Sequence, residues 1–169
     1  MKIDPKKPFI LREGINTENE LIELRENIKI WRQKDIYELQ MKELFEITHP
    51  RFKGAADSAV RRRKFIKENR ARKGDKNALV GDWIYYPWSG ILVHGVNENE
   101  LFLLRTNRNR DLITEGEQKI LATATAGIIG LSIGSHMAMT LVHLGVGKFK
   151  LAEHAALDTT NLNRIQARI

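Results

Sequence analysis

The amino-acid sequence predicts an α/β fold, in which an N-terminal helical region with a β-hairpin precedes the start of a parallel β-α-β domain. Three observations support this prediction. Two amphipathic helical patterns come first, an aromatic two-strand pattern lies at 83–96, and a strand–glycine–helix–strand pattern lies at 123–154. A polar connector begins at Arg105, so we expect two regions, residues 1–104 and residues 105–169.

The first two predicted helices lie in NTENELIELRENIKIW and DIYELQMKELFEITH. In the first, Thr17 and Glu20 have the spacing of a capping box, in which each side chain bonds the backbone N–H of the other residue. Apolar residues then recur at helical spacing, at Leu21, Leu24, Ile28 and Trp31. Pro50 ends the second helix, because proline cannot continue one. We expect both helices to pack through their apolar faces.

A strongly basic segment, RRRKFIKENRARKGDK at 61–76, carries much of the net charge of +7. Such a segment can attract nucleic acid by displacing counterions from phosphates. However, Phe65 is its only aromatic residue, and stacking against bases usually requires several aromatic side chains. We therefore interpret it as a solvated helical face or a mobile loop and do not expect a nucleic-acid partner. A non-catalytic interaction module that uses this region remains an alternative function.

The middle of the chain predicts a β-hairpin. Trp83–Tyr86 and Ile91–Val96 are rich in β-branched and aromatic residues, and the turn-like cluster PWSG separates them. The aromatic residues of this segment are Trp83, Tyr85, Tyr86 and Trp88. We expect them to form the core of the hairpin, and a binding surface is the alternative. Short helices are predicted next in NENELFLL and TEGEQKIL, which both contain capping-box spacings.

A long uncharged segment, from Ala122 through Gly147, is long enough to cross a bilayer. Glycine, serine, threonine and histidine residues interrupt it, so we expect no membrane span. We interpret TATAGIIG as a buried strand, GLSIGS as a tight loop, HMAMTLVHL as a helix and FKLAEH as a second strand. This order is that of a β-α-β unit, whose two strands are parallel neighbours.

The composition excludes some classes of site. The chain has no cysteine, so it holds no disulfide, no thiolate zinc site and no cysteine nucleophile. The three histidines near the β-α-β unit do not have the spacing of a metal site, and we expect no bound metal within the chain. The N-terminus lacks the apolar core of a signal peptide. We expect a cytoplasmic protein.

The predicted glycine loop has the character of a phosphate-binding turn. Gly130, Gly134 and Ser135 lie where the backbone and a helix N-terminus could approach a phosphate, with Ser132 in place of a middle glycine. The dinucleotide-binding pattern also requires an acidic residue about 20 positions later, at the end of the second strand, where it binds ribose hydroxyls. Glu153 follows Gly134 by 19 residues. These residues predict a nucleotide site.

The last 65 residues resemble the adenylating domain of the ThiF/MoeB/HesA and ubiquitin-activating-enzyme superfamily. Those proteins have a glycine loop ending in Gly-Ser, nine residues, Gly-Val-Gly, an acidic strand end and a Ser-Asn-Leu-x-Arg segment. Here His136–Leu144 is the nine-residue spacer, GVG follows it, and Asn161 to Arg164 read NLNR. Upstream, RTNR and GEQKIL are similar to the family's Arg-Tyr-x-Arg motif and Gly-Gln helix.

This resemblance implies a Rossmann-like domain that adenylates a carboxylate with ATP, commonly at the C-terminus of a ubiquitin-like or sulfur-carrier protein. It assigns the phosphates to the loop at 130–135, the ribose to Glu153, and ATP to Asn161 and Arg164. Arg164 would stabilise charge on the transferring group. Arg108 is similar to the arginine that reaches the partner's site in dimeric members, which implies a homodimer, and Arg110 is an alternative for that role.

The resemblance also implies what we expect to lie beyond Ile169. A doubly wound domain needs five or six strands, and the sequence predicts only two of them here, so we expect the chain to be the N-terminal portion of a longer enzyme. The family's magnesium-binding aspartate would then lie beyond Ile169. We expect no adenylation by the 169 residues alone. An NAD(P)- or FAD-binding oxidoreductase is the alternative enzyme class, because the same loop with Glu153 would serve a dinucleotide.

Overall fold

The computed structural model describes residues 3–71, 77–163 and 165. It is a mixed α/β structure that contains parallel strand pairs, as the sequence predicted. The chain forms two compact units, Met1–Leu104 and Arg105–Ile169. Within the described residues, no helix is both long enough and apolar enough to cross a membrane.

The first unit contains a four-stranded sheet. Its strands are β1 (Phe9–Leu11), β2 (Arg32–Asp35), β3 (Asp82–Tyr86) and β4 (Ile91–Gly95), in the order β1-β3-β4-β2. Strands β3 and β4 pair antiparallel, which confirms the predicted hairpin. Strand β2 pairs parallel with β4 and was not predicted, because its residues are polar and all four are exposed.

Helix α1 (Glu18–Asn27) begins with the predicted capping box. The Glu20 N–H donates to the Thr17 hydroxyl at 3.4 Å, and the Thr17 N–H donates to the Glu20 carboxylate at 2.7 Å. The assignment of Trp31 to the apolar face of this helix was wrong. The chain turns extended at Ile28 to enter β2, and Trp31 is 74% exposed. The helical spacing of apolar residues in the sequence extends to Trp31, whereas the helix itself ends at Asn27 because the chain continues into strand β2.

Helices α2 (Tyr37–Thr48) and α3 (Ser58–Ala71) share the second cluster of buried residues in the first unit. Its buried members are Tyr37, Met41, Leu44, Ile66 and Val96. Helix α3 contains residues 61–71 of the basic segment and confirms that they are helical, whereas residues 72–76 lie outside the described residues. Ile66 is the buried residue that α3 contributes to this cluster. Helix α4 (Glu98–Thr106) contains the boundary between the two units.

The aromatic residues of the hairpin divide between core and surface. Trp83 and Tyr85 are buried with Leu11 and Leu24 in the main core of the first unit. Trp88, in the turn, is 57% exposed. The prediction of a hairpin core therefore holds for the two residues on the inner face of β3, because alternate residues of a strand point to opposite faces of the sheet.

The second unit contains helix α5 (Glu115–Thr123), strand β5 (Thr125–Ile129), helix α6 (Leu131–Leu144) and strand β6 (Lys148–Ala152). Strands β5 and β6 pair parallel, with Thr125 opposite Lys148 and Ile129 opposite Ala152. This arrangement confirms the order and the parallel pairing of the predicted β-α-β unit. The prediction of a buried first strand was wrong, because alternate residues of β5 are exposed and none is fully buried. Ile129 is 92% exposed at the end of β5.

The prediction of a tight loop over GLSIGS was wrong. Helix α6 already begins at Leu131, so the turn between strand and helix consists of Gly130, whose φ is +83°. A residue with a side chain rarely adopts this conformation, whereas glycine does so readily. Ser132, Gly134 and Ser135 therefore lie in the first turns of the helix and not in a loop.

Candidate functional site

A cleft of about 720 Å³ lies at the carboxyl ends of the two parallel strands of the second unit. Four residues that the sequence predicted for nucleotide binding lie along it: Gly130, Ser132, Glu153 and Asn161. The carboxyl ends of parallel strands meet at one edge of a sheet, and helix α6 begins at that edge. The topology therefore brings together residues that are 31 positions apart in the chain.

Glu153 lines this cleft, and its carboxylate accepts hydrogen bonds from three backbone N–H groups. Its Oε2 accepts a hydrogen bond from the Leu131 N–H at 2.7 Å. Its Oε1 accepts from the N–H groups of His154 and Ala155, at 2.9 and 3.1 Å. The bond from Leu131 and then that from Ala155 lower the pKa of Glu153 below its usual value, because they favour the charged carboxylate.

The position of this carboxylate shows that the N-terminus of α6 accommodates an anion. The first N–H groups of a helix lack partners within it and carry a partial positive charge, so they attract carboxylates and phosphates alike. Glu153 takes the N–H of Leu131, the first residue of the helix. A phosphate at the same place would compete with Glu153 for that N–H.

The structure places Gly134 and Ser135 away from the lining of this cleft. Gly134 faces β5, where an added Cβ would lie 2.8 Å from Cγ2 of Ile128, so its small size allows the helix to pack closely on the strand. The Ser135 hydroxyl donates to the carbonyl oxygen of Ser132 at 2.9 Å, within the helix. Both residues have local packing roles that explain their type.

The predicted arginines do not line the cleft in the described structure. Arg108 and Arg110 lie in a short 3₁₀ helix, Asn107–Asp111. The Asn109 amide in this segment donates to the Leu144 carbonyl oxygen at 3.2 Å, at the carboxyl end of α6. A helix of 14 residues is about 20 Å long, so this segment lies near the end opposite the cleft. Arg164 lies outside the described residues.

The described residues contain no cluster of side chains that could hold a metal ion. Among residues 3–71, 77–163 and 165, no three acidic or histidine side chains come close enough to hold a metal ion. His154 is almost fully exposed, with Nδ1 3.2 Å from Oε1 of Glu153.

A second polar cluster, in the first unit, was not found from the sequence. The buried His94 lies between the rings of Trp83 and Tyr37, with ring centroids 4.1 and 4.9 Å away. Its Nε2–H donates to the Val80 carbonyl oxygen at 2.9 Å, and its Nδ1 lies 3.0 Å from Oδ2 of Asp35. These residues come from distant segments that only the sheet brings together, so no local pattern could reveal them.

Replacing Asp35 by asparagine is expected to make the stability of the first unit less dependent on pH in the acid range. Burial raises the pKa of Asp35, but His94 and the Tyr37 N–H outweigh it, so the pKa lies below its usual value. The ionised carboxylate therefore stabilises the fold above the unfolded pKa, and this contribution is lost as pH falls through the folded pKa. Urea unfolding midpoints of both proteins between about pH 2 and 6 would check this. Parallel pH profiles would contradict it.

Comparison with known proteins shows similarity over half of the chain to part of one longer protein. No protein-family model matches the chain, and no solved structure matches it. The chain is 38% identical over 84 residues to an uncharacterized protein of Mycobacterium tuberculosis (strain CDC 1551 / Oshkosh). The aligned region is 49% of this chain and 12% of that protein, so the chain spans a small part of its relative's length.

Proposed function

We propose that the second unit binds ATP and is the beginning of a Rossmann-like adenylyltransferase domain. Its substrate would be a carboxylate, at the C-terminus of a ubiquitin-like or sulfur-carrier protein. The observation that carries this proposal is the cleft at the carboxyl edge of β5 and β6, which Gly130, Ser132, Glu153 and Asn161 line beside a helix N-terminus. The motif resemblance of residues 105–169 supplies the reaction class.

The residues present fit a nucleotide. The cleft has the volume usual for small-molecule sites, about 300–1,000 Å³. The carboxylate of Glu153 at the start of α6 shows that an anion is accepted there. A carboxylate accepts up to about four hydrogen bonds, and Glu153 uses three of them on backbone N–H groups. A phosphate can accept a hydrogen bond from the Leu131 N–H only after the Glu153 carboxylate has given up its own bond to that N–H.

The chain's own residues would have the following roles. Ser132 and Asn161 would bind and orient the nucleotide, and Glu153 would bind its ribose after leaving Leu131. Arg164 would neutralise phosphate charge, and Arg108 would act on the site of a second copy in a homodimer. ATP, when bound, supplies the adenylyl group that activates the carboxylate. The ligands that hold Mg²⁺ would belong to another part of the full enzyme.

A dinucleotide-binding oxidoreductase is the competing proposal, because an acidic residue at the end of β6 is also where such enzymes bind ribose. A fluorescent ATP analogue bound to the protein would separate the two by competition. We expect unlabelled ATP to displace the analogue at lower concentration than NAD. Stronger displacement by NAD would favour the oxidoreductase, and no displacement by either would exclude a nucleotide site here.

Substituting Ser132 by alanine is expected to weaken binding of the ATP analogue, whereas the same change at Ser135 should leave it unaltered. Ser132 lines the cleft, whereas Ser135 does not. Loss of one hydrogen bond corresponds to a change of about two- to tenfold in affinity. Titration of both variants checks this, with thermal melting as a control for folding. Equal affinities of the two variants for the ATP analogue would show that the Ser132 side chain does not bind the nucleotide.

A further inference from the structure

The positive charge of the protein is concentrated around helix α3. Residues 51–70 hold eight lysines and arginines and two acids, a net charge of +6, whereas the whole chain carries +7. The remainder of the chain is therefore close to neutral. Basic residues that cluster on and beside one helix in this way are the electrostatic footprint of a surface that meets a polyanion.

Part of this charge is balanced within the fold. Arg61 pairs with Asp57 at 2.6 Å, Arg62 with Glu46 at 3.5 Å, and Lys64 with Glu68 at 3.8 Å. Guanidinium groups also lie over aromatic rings: those of Arg51 and Arg61 over Phe52, and that of Arg70 over Tyr37. These residues have contacts that account for their positions without an external partner.

Arg63 and Lys67 do not have such contacts. Both are exposed, and neither has an acidic partner in the part of the chain that the structure describes. They are four residues apart on α3, so they lie on the same face, about 6 Å from each other along the helix. Like charges at this spacing destabilise a helix by about 0.2–0.5 kcal/mol, so folding alone does not favour them.

We propose that this face of α3 binds the sugar–phosphate backbone of a nucleic acid, without recognising the bases. The small number of aromatic residues argues against base stacking but not against contacts to phosphates, which need only cations. Nucleic-acid interfaces are more polar and more positive than protein–protein interfaces, which have an apolar centre. Val60, which is 66% exposed, is the large hydrophobic residue that α3 exposes. One such side chain offers a protein or membrane partner little apolar surface.

The test measures binding of a fluorescently labelled DNA duplex by anisotropy at salt concentrations between about 50 and 200 mM. We expect the logarithm of the binding constant to fall linearly with the logarithm of salt concentration. The double variant Arg63→Gln with Lys67→Gln should make the slope shallower by about 1.8, because each phosphate contact contributes about 0.9. Glutamine keeps a good helix propensity, and circular dichroism would verify that α3 is retained.

A second double variant, Lys148→Gln with Lys150→Gln, is the matched control. It removes the same charge from exposed residues of β6 and should leave the slope unchanged. Equal slopes for wild type and the α3 variant would overturn the proposal, as would an equal effect of the two double variants. Polyglutamate of matched charge that displaces the duplex at equal or lower concentration would also overturn it, in favour of an acidic polypeptide.

Discussion

Replacing Gly147 by alanine is expected to unfold much of the second unit. Gly147 lies between α6 and β6, and a Cβ added there would collide with the carbonyl oxygen of Ala122 and lie 2.8 Å from its carbonyl carbon. Its N–H also donates to the Leu121 carbonyl oxygen at 3.2 Å. A backbone cannot rotate away as a side chain can, so the strand and the end of α5 must separate. We expect a loss at the upper end of the range for overpacking, about 3 kcal/mol.

Gly127→Ala is the matched control in the same unit. Gly127 lies on β5, and no atom would lie within 4 Å of an added Cβ. Its substitution should change stability by no more than about 0.5 kcal/mol. Hydrogen exchange of the β5 and β6 amides, with urea unfolding of each variant, measures both effects. Similar protection in the two variants would show that the close approach at Gly147 is not required for the fold.

Replacing Glu153 by alanine is expected to change the binding of two parts of ATP in opposite directions. The substitution frees the Leu131 N–H and removes a negative charge from the start of α6, so inorganic tripolyphosphate should bind about two- to fivefold more tightly. Adenosine should bind more weakly, because the proposed ribose ligand is lost. Competition of each compound against the fluorescent ATP analogue would measure the two affinities separately.

Asp158→Ala provides the control for charge alone. Asp158 is an exposed acid in the same segment, and its side chain makes no capping hydrogen bond. We expect a smaller gain in tripolyphosphate binding and no loss of adenosine. If Glu153→Ala leaves tripolyphosphate binding unchanged, the phosphates do not reach the N-terminus of α6. If adenosine binding is unchanged, Glu153 is not the ribose ligand.

The candidate site shows where sequence reasoning succeeded and where it stopped. The spacing of Gly130 and Glu153 predicted that these residues meet, because a crossover connection returns the chain to the same edge of the sheet. It did not predict that the Glu153 carboxylate caps the helix, because that contact depends on how β6 aligns with β5. The same limit explains why the helix was expected to begin after Ser135 instead of at Leu131.

Signals between residues close in the chain were sufficient by themselves. The capping boxes at Thr17 and Thr114, the β-hairpin and the order strand, glycine, helix, strand all arise from neighbours a few positions apart, and the structure contains each of them. Their energies come from local hydrogen bonds and side-chain periodicity, which the sequence states directly.

Only the tertiary structure decided the contacts between distant segments. It paired the polar strand β2 with β4, enclosed His94 between Trp83 and Tyr37, and left Trp31 exposed. Each of these outcomes depends on sheet register and on which surface another segment covers. A one-residue shift of register moves every side chain to the other face, so a local pattern cannot determine burial.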